Sequence, residues 1–126
     1  MAVSFDPAII ARLRAAEEVE IETSAAPGAI RHRTIIWIVV DEHDRVFIRS
    51  VRGPVGRWYR EALANPNVSL EVDGRVIPVR VDGASDAERV EATSHALRIK
   101  YARSRASLAA MLREVTLPTT LELLPA

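Results

Sequence analysis

The fold is decided by residues 30–51, IRHRTIIWIVVDEHDRVFIRSV. Their first half, Ile30–Val40, ends in the uninterrupted apolar run IIWIVV. Such a run predicts a strand covered on both faces, as in the middle of a barrel or at a contact between two copies. The polar residues 41–44 predict a hairpin loop, and residues 45–51 predict the strand that returns from it. An antiparallel hairpin is therefore the centre of the predicted fold.

Elements on both sides of this hairpin complete one domain, as expected for a chain of 126 residues. Asp6 and Pro7 suit the N-cap and first position of a helix, which we expect over residues 7–17. Ser85 and Glu88 predict a capping box that opens a second helix. The remaining predicted elements are a strand at 19–23, a helix at 57–64, strands at 68–72 and after Gly74, a helix at 106–113 and an extended segment at 115–124.

The dipeptide Asp73-Gly74 is a strong signal for a two-residue hairpin turn. In the register that this turn imposes, Leu70 faces Ile77, and the other apolar positions of the two strands also match. The sequence therefore predicts both the second hairpin and its register.

Composition excludes several classes of function. The chain has no cysteine, which excludes disulfides, thiolate chemistry and cysteine-based metal sites. It has no apolar run of transmembrane length, and its first residues, MAVSFDP, lack the features of a secretion signal, so we expect a cytoplasmic protein without a membrane partner. Its 17 basic and 17 acidic residues balance and only 5% of residues are aromatic, so we expect no nucleic-acid partner.

The best functional lead is the basic segment, Arg45–Arg60, which holds five arginines and no acidic residue. It runs from a strand through a Gly-Pro loop into the start of a helix. Backbone N–H groups of such a loop, the positive end of the helix dipole and guanidinium groups together suit a phosphate. The alternative is a solvated loop whose arginines pair with carboxylates such as Glu61 or Glu71.

The strand before the basic segment offers further candidates. Alternation places Arg33 and Trp37 on one side of this strand and Thr34 and Ile36 on the other. If the two strands form a hairpin, Arg33 or Thr34 approaches the anion site. Trp37 either walls a planar ring or belongs to the core.

The remaining candidates carry less information. Lys100 and Arg103 suit the negative end of a helix, or else close over a ligand. No acid–base residue stands out, although Tyr59 and His32 are candidate proton donors. We expect no metal site, because none of the histidines has metal-ligand spacing to another: His32, His43 and His95.

Four motifs carry a family resemblance: RTIIWIVVD at 33–41, VFIRSVRG at 46–53, GRWYREALANPNVSLEVDGR at 56–75 and IPVRV at 77–81. With them, the chain resembles the split β-barrel flavin-binding proteins, the relatives of pyridoxamine 5′-phosphate oxidase and of the deazaflavin-dependent nitroreductases. The segments RSVRG, RWYR, KYARS and LPTTL are similar to those of a poorly characterised actinobacterial-type group of this superfamily. The resemblance runs from about Glu20 to the C-terminus.

This resemblance implies a mainly β, six-stranded antiparallel split barrel with flanking helices in a single domain, residues 1–126. The N-terminal helix expected from Asp6 and Pro7 lies ahead of this resemblance, within residues 1–17, and we expect the barrel, with inserted helices, within residues 18–124. The resemblance also implies a homodimer that holds FMN or the deazaflavin coenzyme F-420 in a cleft at the dimer contact. The implied cofactor-binding residues are Arg33, Thr34, Ile36, Trp37, Arg49, Ser50, Arg52, Gly53, Arg57 and Trp58.

Two positions depart from the family pattern: Ile35 stands where the relatives usually have Pro, and Arg52-Gly53 replaces Gly-Gly.

The leading functional prediction is an oxidoreductase that transfers a hydride between the bound ring and a small acceptor, with catalytic residues that the sequence does not identify. The alternative is a non-catalytic module of the same fold that binds a flavin, haem or another phosphate-bearing ligand. A third hypothesis is a barrel that only dimerises. Cofactor binding without turnover would favour the binding module, and the absence of anion binding at the loop would favour the barrel that only dimerises.

Overall fold

A computed structural model describes residues 4–126, so the first three residues of the predicted N-terminal segment lie outside the described part. The strands are β1 (Val19–Ser24), β2 (Arg31–Ile36), β3 (Val39–Val40), β4 (Val46–Ile48), β5 (Asn67–Val72), β6 (Arg75–Gly83) and β7 (Leu121–Pro125). The helices are α1 (Pro7–Ala15), α2 (Arg57–Ala64), α3 (Ala87–Lys100) and α4 (Arg105–Met111), and single 3₁₀ turns lie at Gly53–Val55 and Leu117–Thr119.

All seven strands form one antiparallel sheet in the order β2-β1-β5-β6-β7-β4-β3. The two edge strands, β2 and β3, are consecutive in the chain and are joined only by Trp37 and Ile38. Because this short link keeps the two edges close at one corner, the sheet must curl into a half-barrel.

The predicted count of six strands is wrong, because the single strand expected over residues 30–40 is divided into β2 and β3. The two halves pair with different neighbours, β2 with β1 and β3 with β4. Between them, the Ile38 N–H donates to Tyr101 Oη at 3.3 Å, and the Ile38 carbonyl accepts from Lys100 Nζ at 2.8 Å. Side chains at the end of α3 thus form hydrogen bonds with the N–H and carbonyl groups of Ile38. In a continuous strand, these groups would be available to a neighbouring strand.

The predicted second hairpin is confirmed, with Leu70 opposite Ile77 as expected. Asp73 and Gly74 have φ values of 52° and 75°. Two successive positive φ angles fit the turn whose twist matches that of the flanking strands, and Asp-Gly is a favoured pair there.

Acidic side chains cap the first turns of two helices, α1 and α3. Asp6 caps α1 as predicted, and its Oδ1 accepts from the Ala8 N–H at 2.8 Å. The predicted capping box at Ser85 is wrong, because the N-cap of α3 is Asp86, whose carboxylate accepts from the Arg89 N–H at 3.2 Å. A carboxylate one residue further along takes over the same capping task.

Two clusters of buried apolar side chains pack against the sheet. The larger one fills the half-barrel and includes Leu13, Ile21 and Leu70, and the smaller one lies between α3, α4 and β3–β4 around Phe47 and Leu97. No helix within residues 4–126 is long and apolar enough to cross a membrane.

Candidate functional site

A cleft of about 460 Å³ opens where the ends of β2 and β4, the start of α2 and one side of α4 meet. Most of the residues predicted from the sequence line it: Thr34, Ile36, Trp37, Arg49, Ser50, Arg52, Arg57 and Trp58. The other lining residues are Glu18, Ile35, Val51, Gly56, Ser107 and Met111. The loop of the basic segment and the first strand of the predicted hairpin therefore do meet in space.

Arg49 is almost fully buried, with 2% of its surface exposed. Its Nε donates to Thr120 Oγ1 at 2.9 Å, Nη1 to Ser94 Oγ at 3.0 Å and to the Met111 carbonyl at 3.1 Å, and Nη2 to the Val90 carbonyl at 3.1 Å. Four of the five guanidinium hydrogens are thus occupied within the protein. Arg49 ties β4 to α3, α4 and β7, and the predicted forked grip of this side chain on a phosphate does not fit these contacts.

The charge of Arg49 still matters for the cleft. Its hydrogen-bond partners are all neutral, and no carboxylate forms an ion pair with it among the described residues. Burial, with a smaller contribution from Arg98, lowers the pKa of Arg49 to about 10, so the group remains cationic at neutral pH. A buried cation without a counter-ion makes the adjacent cleft favourable for an anion.

Two glycines shape the loop between Arg49 and α2. Gly53 has φ +68° and lies against Val115, where an added Cβ would come within 2.8 Å of a methyl group. An added Cβ at Gly56 would come within 2.6 Å of Ser50 Oγ. That hydroxyl donates to the Gly53 carbonyl at 2.8 Å, so Ser50 closes the turn. Ser50 and Gly53 therefore hold the loop in shape. Of these two residues, Ser50 lines the cleft and Gly53 lies behind the lining.

The groups available to a ligand lie at the rim of the cleft. Arg52 and Arg57 are exposed, and neither forms an ion pair or a side-chain hydrogen bond among the described residues. Helix α2 begins beside them with Gly56 as N-cap and no side-chain cap, so its first N–H groups are unoccupied by side chains. Two free guanidinium groups and an uncapped helix start form an anion-binding arrangement.

Trp37 offers a flat apolar wall. Its ring is stacked on that of Tyr101, with centroids 3.7 Å apart and an interplanar angle of 1°. Tyr101 is held in turn by a hydrogen bond from its hydroxyl to the Glu17 carbonyl at 2.7 Å. Trp37 is half-buried and lines the cleft, so both roles expected for it, core packing and cleft wall, describe the same side chain.

Arg33 lies away from the cleft, on the side of β2 that faces solvent. It bridges three carboxylates on neighbouring strands, at 3.1 Å from Glu22, 3.4 Å from Glu71 and 3.5 Å from Glu20. Hydrogen bonds from Arg31 and Arg33 hold the pKa of Glu22 below its usual value. Arg33 thus pairs with surface carboxylates and does not join the cleft. In the basic segment, the expected alternative of pairing with carboxylates holds for Arg45, which lies 2.8 Å from Asp41 and 2.7 Å from Glu88. It does not hold for Arg52 and Arg57.

Lys100 turns inward and does not reach the cleft. Its Nζ donates to the Leu13 carbonyl at 3.1 Å and to the Ile38 carbonyl at 2.8 Å. Burial, with a smaller contribution from Arg14, lowers the pKa of Lys100 to about 8. Arg103 is exposed beyond the end of α3, outside the cleft lining.

The sequence reasoning missed the contribution of α4 to the cleft. Ser107 and Met111 are four residues apart, so they share one side of this helix, and both line the cleft. Their spacing was visible in the sequence, but nothing in it showed which side of a short helix faces the basic segment. Glu18, which lies in the link between α1 and β1, also lines the cleft, and no local signal in the sequence marks it.

Within residues 4–126, no group of three or more His, Cys, Asp or Glu side chains is arranged to hold a metal ion. The described histidines also lie outside the cleft lining.

The sequence matches, over residues 9–123, the model of a family described as an uncharacterized protein conserved in bacteria (DUF2255). No protein of curated function matches the sequence.

Several solved structures are similar to this chain. An F420-H2 dependent reductase (FDR-A) is 17% identical with a TM-score of 0.61, over 85% of this chain and 93% of that one. HutZ, the heme storage protein from Vibrio cholerae, is 12% identical with a TM-score of 0.66, over 98% and 91% of the two chains. A FAD-binding protein from Mesorhizobium loti is 16% identical with a TM-score of 0.65, over 94% and 85%. At these identities the likeness shows the fold alone, and it confirms the predicted split β-barrel fold.

Proposed function

This chain belongs to the bacterial family whose model it matches, and we propose that it is an oxidoreductase that binds FMN or the deazaflavin coenzyme F-420 in the cleft between β2, β4, α2 and α4. The observation that carries the proposal is a concentration of positive charge around a concave site. Arg52 and Arg57 are exposed and unpaired among the described residues, and Arg49 is buried beside them without a counter-ion.

The residues present fit a phosphate-bearing cofactor. Arg52, Arg57 and the first N–H groups of α2 would hold the phosphate, and the buried charge of Arg49 would add to the field without direct contact. Since the Arg49 guanidinium is already hydrogen-bonded within the protein, Arg52 and Arg57 at the rim would supply the affinity for the phosphate.

Ile36 and Trp37 would hold the ring of the cofactor. Trp37 is fixed by its stack on Tyr101, so it presents a rigid apolar surface at little cost in side-chain entropy. When bound, a flavin or deazaflavin ring supplies hydride-transfer chemistry, and the protein positions the ring and excludes water from it. The substrate would be a small acceptor.

The runner-up is a non-catalytic module that binds a flavin, haem or another phosphate-bearing ligand in the same cleft. The fold alone allows it, because proteins named for reduction, FAD binding and heme storage share this architecture. Haem is the less suited ligand, because no histidine lines the cleft among the described residues. Within residues 4–126, Met111 is the one lining side chain with a sulfur atom.

We also propose a cytoplasmic homodimer in which a second copy closes the cleft. Ile35 and Val51 line the cleft and expose 63% and 43% of their surfaces. A second copy that covers Ile35 and Val51 would remove water from these side chains and from the cofactor beside them.

The test is a titration of the purified protein with FMN, with riboflavin and with coenzyme F-420, followed by ring fluorescence. Riboflavin is the matched control, because it has the ring of FMN without the phosphate. We expect FMN or coenzyme F-420 to bind and riboflavin to bind at least about tenfold more weakly than FMN, since charge-assisted hydrogen bonds to phosphate contribute about 1.5–3 kcal/mol. Equal binding of FMN and riboflavin would remove the phosphate site, and binding of none of the three would overturn the proposal.

A further inference from the structure

Three side chains form a hydrogen-bonded chain next to the cleft that the proposed cofactor site does not use. Thr23 Oγ1 donates to Glu61 Oε1 at 2.8 Å, and His32 Nδ1 lies 2.9 Å from Glu61 Oε2. The Glu61 side chain is only 11% exposed, whereas the His32 side chain is 34% exposed. A nearly buried carboxylate therefore holds one nitrogen of an imidazole ring that remains accessible.

The carboxylate determines which nitrogen of His32 exchanges protons. An ionised carboxylate only accepts hydrogen bonds, so Nδ1 carries its hydrogen whether the imidazole is neutral or charged. Thr23 donates to the same carboxylate and fixes its orientation. Nε2 is then the one ring nitrogen of His32 that can give or take a proton.

This dyad of His32 and Glu61 adjoins the cleft through both of its structural elements. His32 lies on the same face of β2 as Thr34, two residues away, which is about 6.6 Å along a strand. Glu61 follows Arg57 by four residues on α2, so the two lie on one side of the helix. Thr34 and Arg57 both line the cleft. The dyad therefore lies outside the cleft lining but next to it, beyond Thr34 and Arg57.

We propose that His32, oriented by Glu61, is a proton-transfer site for an oxygen- or nitrogen-bearing acceptor substrate that reaches from the cleft past Thr34. The proposal rests on the proposed function, because the reduced flavin-type cofactor is the source of the hydride. In the forward direction His32 begins as the imidazolium, with a hydrogen on each ring nitrogen. Its Nε2–H bond breaks, the electron pair stays on nitrogen and the proton forms a bond to the heteroatom of the acceptor, which leaves neutral His32 with its hydrogen on Nδ1. The acceptor is reduced by the hydride and this proton, the cofactor is oxidised by two electrons, and His32 regains its proton from water.

A second histidine–carboxylate pair provides a matched control. His43 Nε2 lies 3.7 Å from Glu42 Oε1 in the turn between β3 and β4, and the two side chains are 70% and 82% exposed. This pair lacks the buried carboxylate and lies away from the cleft lining. His43→Asn should therefore leave binding and turnover unchanged.

The first measurement needs no cofactor. Nitrogen-15 NMR of the histidine side chains should show neutral His32 with its hydrogen on Nδ1. Glu61→Gln should convert it to a mixture of tautomers, because an amide both donates and accepts. A His32 hydrogen on Nε2, or a tautomer unchanged in Glu61→Gln, would overturn the assignment even if no cofactor binds.

The second measurement compares turnover by the cofactor-loaded protein in the wild type, His32→Asn and His43→Asn, with quinone and nitro compounds as acceptors. We expect His32→Asn to lower kcat by about 100-fold or more, which is the usual contribution of a general acid. The dissociation constant of the cofactor should change by less than about threefold, because the dyad lies outside the proposed phosphate site. A wild-type protein that binds no cofactor would contradict the proposed function, whereas unchanged kcat in His32→Asn would contradict the role of His32 alone.

Discussion

Two parts of the basic segment, Arg45–Arg60, carry the same residue type in opposite situations. We call the part that follows β4 its inner end, and the other part lies at the rim of the cleft. At the inner end, Arg49 is buried and donates to Thr120, Ser94 and two backbone carbonyls. At the rim, Arg52 and Arg57 are exposed and form no ion pair among the described residues. A run of arginines is therefore not one binding surface. Arg49 builds the site, and Arg52 and Arg57 remain available to a ligand.

The largest expected effect concerns the inner end. Arg49→Ala should lower the free energy of unfolding by about 3 kcal/mol or more, because it leaves several buried acceptors without a donor. Arg52→Ala should change it by less than about 0.5 kcal/mol, as is usual for an exposed side chain without partners. Urea denaturation measures both values. Equal losses of unfolding free energy in Arg49→Ala and Arg52→Ala would contradict the distinction between a structural arginine at the inner end and a free arginine at the rim.

The loop that joins the two ends gives the next effect. Gly56→Ala places a Cβ within 2.6 Å of Ser50 Oγ and disturbs its hydrogen bond to the Gly53 carbonyl. We expect a loss of about 1–3 kcal/mol in the free energy of unfolding, which is typical of overpacking. Gly83→Ala is the control, because an added Cβ there meets nothing within 4 Å. A tolerated Gly56→Ala would show that the loop is not shaped by this contact.

A smaller effect tests the other inward-facing cation, Lys100. Its pKa is about 8 in the folded chain against 10.5 for the free side chain, so between these values the unfolded chain binds more protons. The stability of the wild type relative to Lys100→Met should therefore rise with pH from about 8 to 10.5 and stay flat below pH 8. Denaturation of both proteins across this range measures the difference. A relative stability that falls as pH rises would contradict the inward placement of Lys100.

Much of the fold could be predicted from the sequence because the deciding signals are local. The hairpin at Asp73-Gly74 depends on two turn residues and on a period-two pattern of apolar residues. The predicted turn and the predicted register are both confirmed. The prediction of one undivided strand over residues 30–40 is wrong, because the groups that divide it, Lys100 and Tyr101, are more than 60 residues from Ile38 in the chain. An apolar run records that a segment is buried but not which neighbour it pairs with.

The site follows the same rule. A loop that runs into a helix could be recognised from the basic segment itself, and its residues do line one cleft. The burial of Arg49 depends on Ser94 and Thr120, which are 45 and 71 residues away. Nothing local distinguishes Arg49 from Arg52, so the sequence assigned both to the same task.

The most direct test of the account is the affinity of FMN or coenzyme F-420, whichever binds the wild type, for the double variant Arg52→Ala/Arg57→Ala. Arg60→Ala is the control, because Arg60 is exposed on α2 outside the cleft lining. We predict that the double variant keeps its free energy of unfolding within about 1 kcal/mol and loses at least about tenfold in affinity, while Arg60→Ala retains wild-type affinity. Undiminished affinity in the double variant, or an equal loss in Arg60→Ala, would contradict the assignment of the phosphate to the rim.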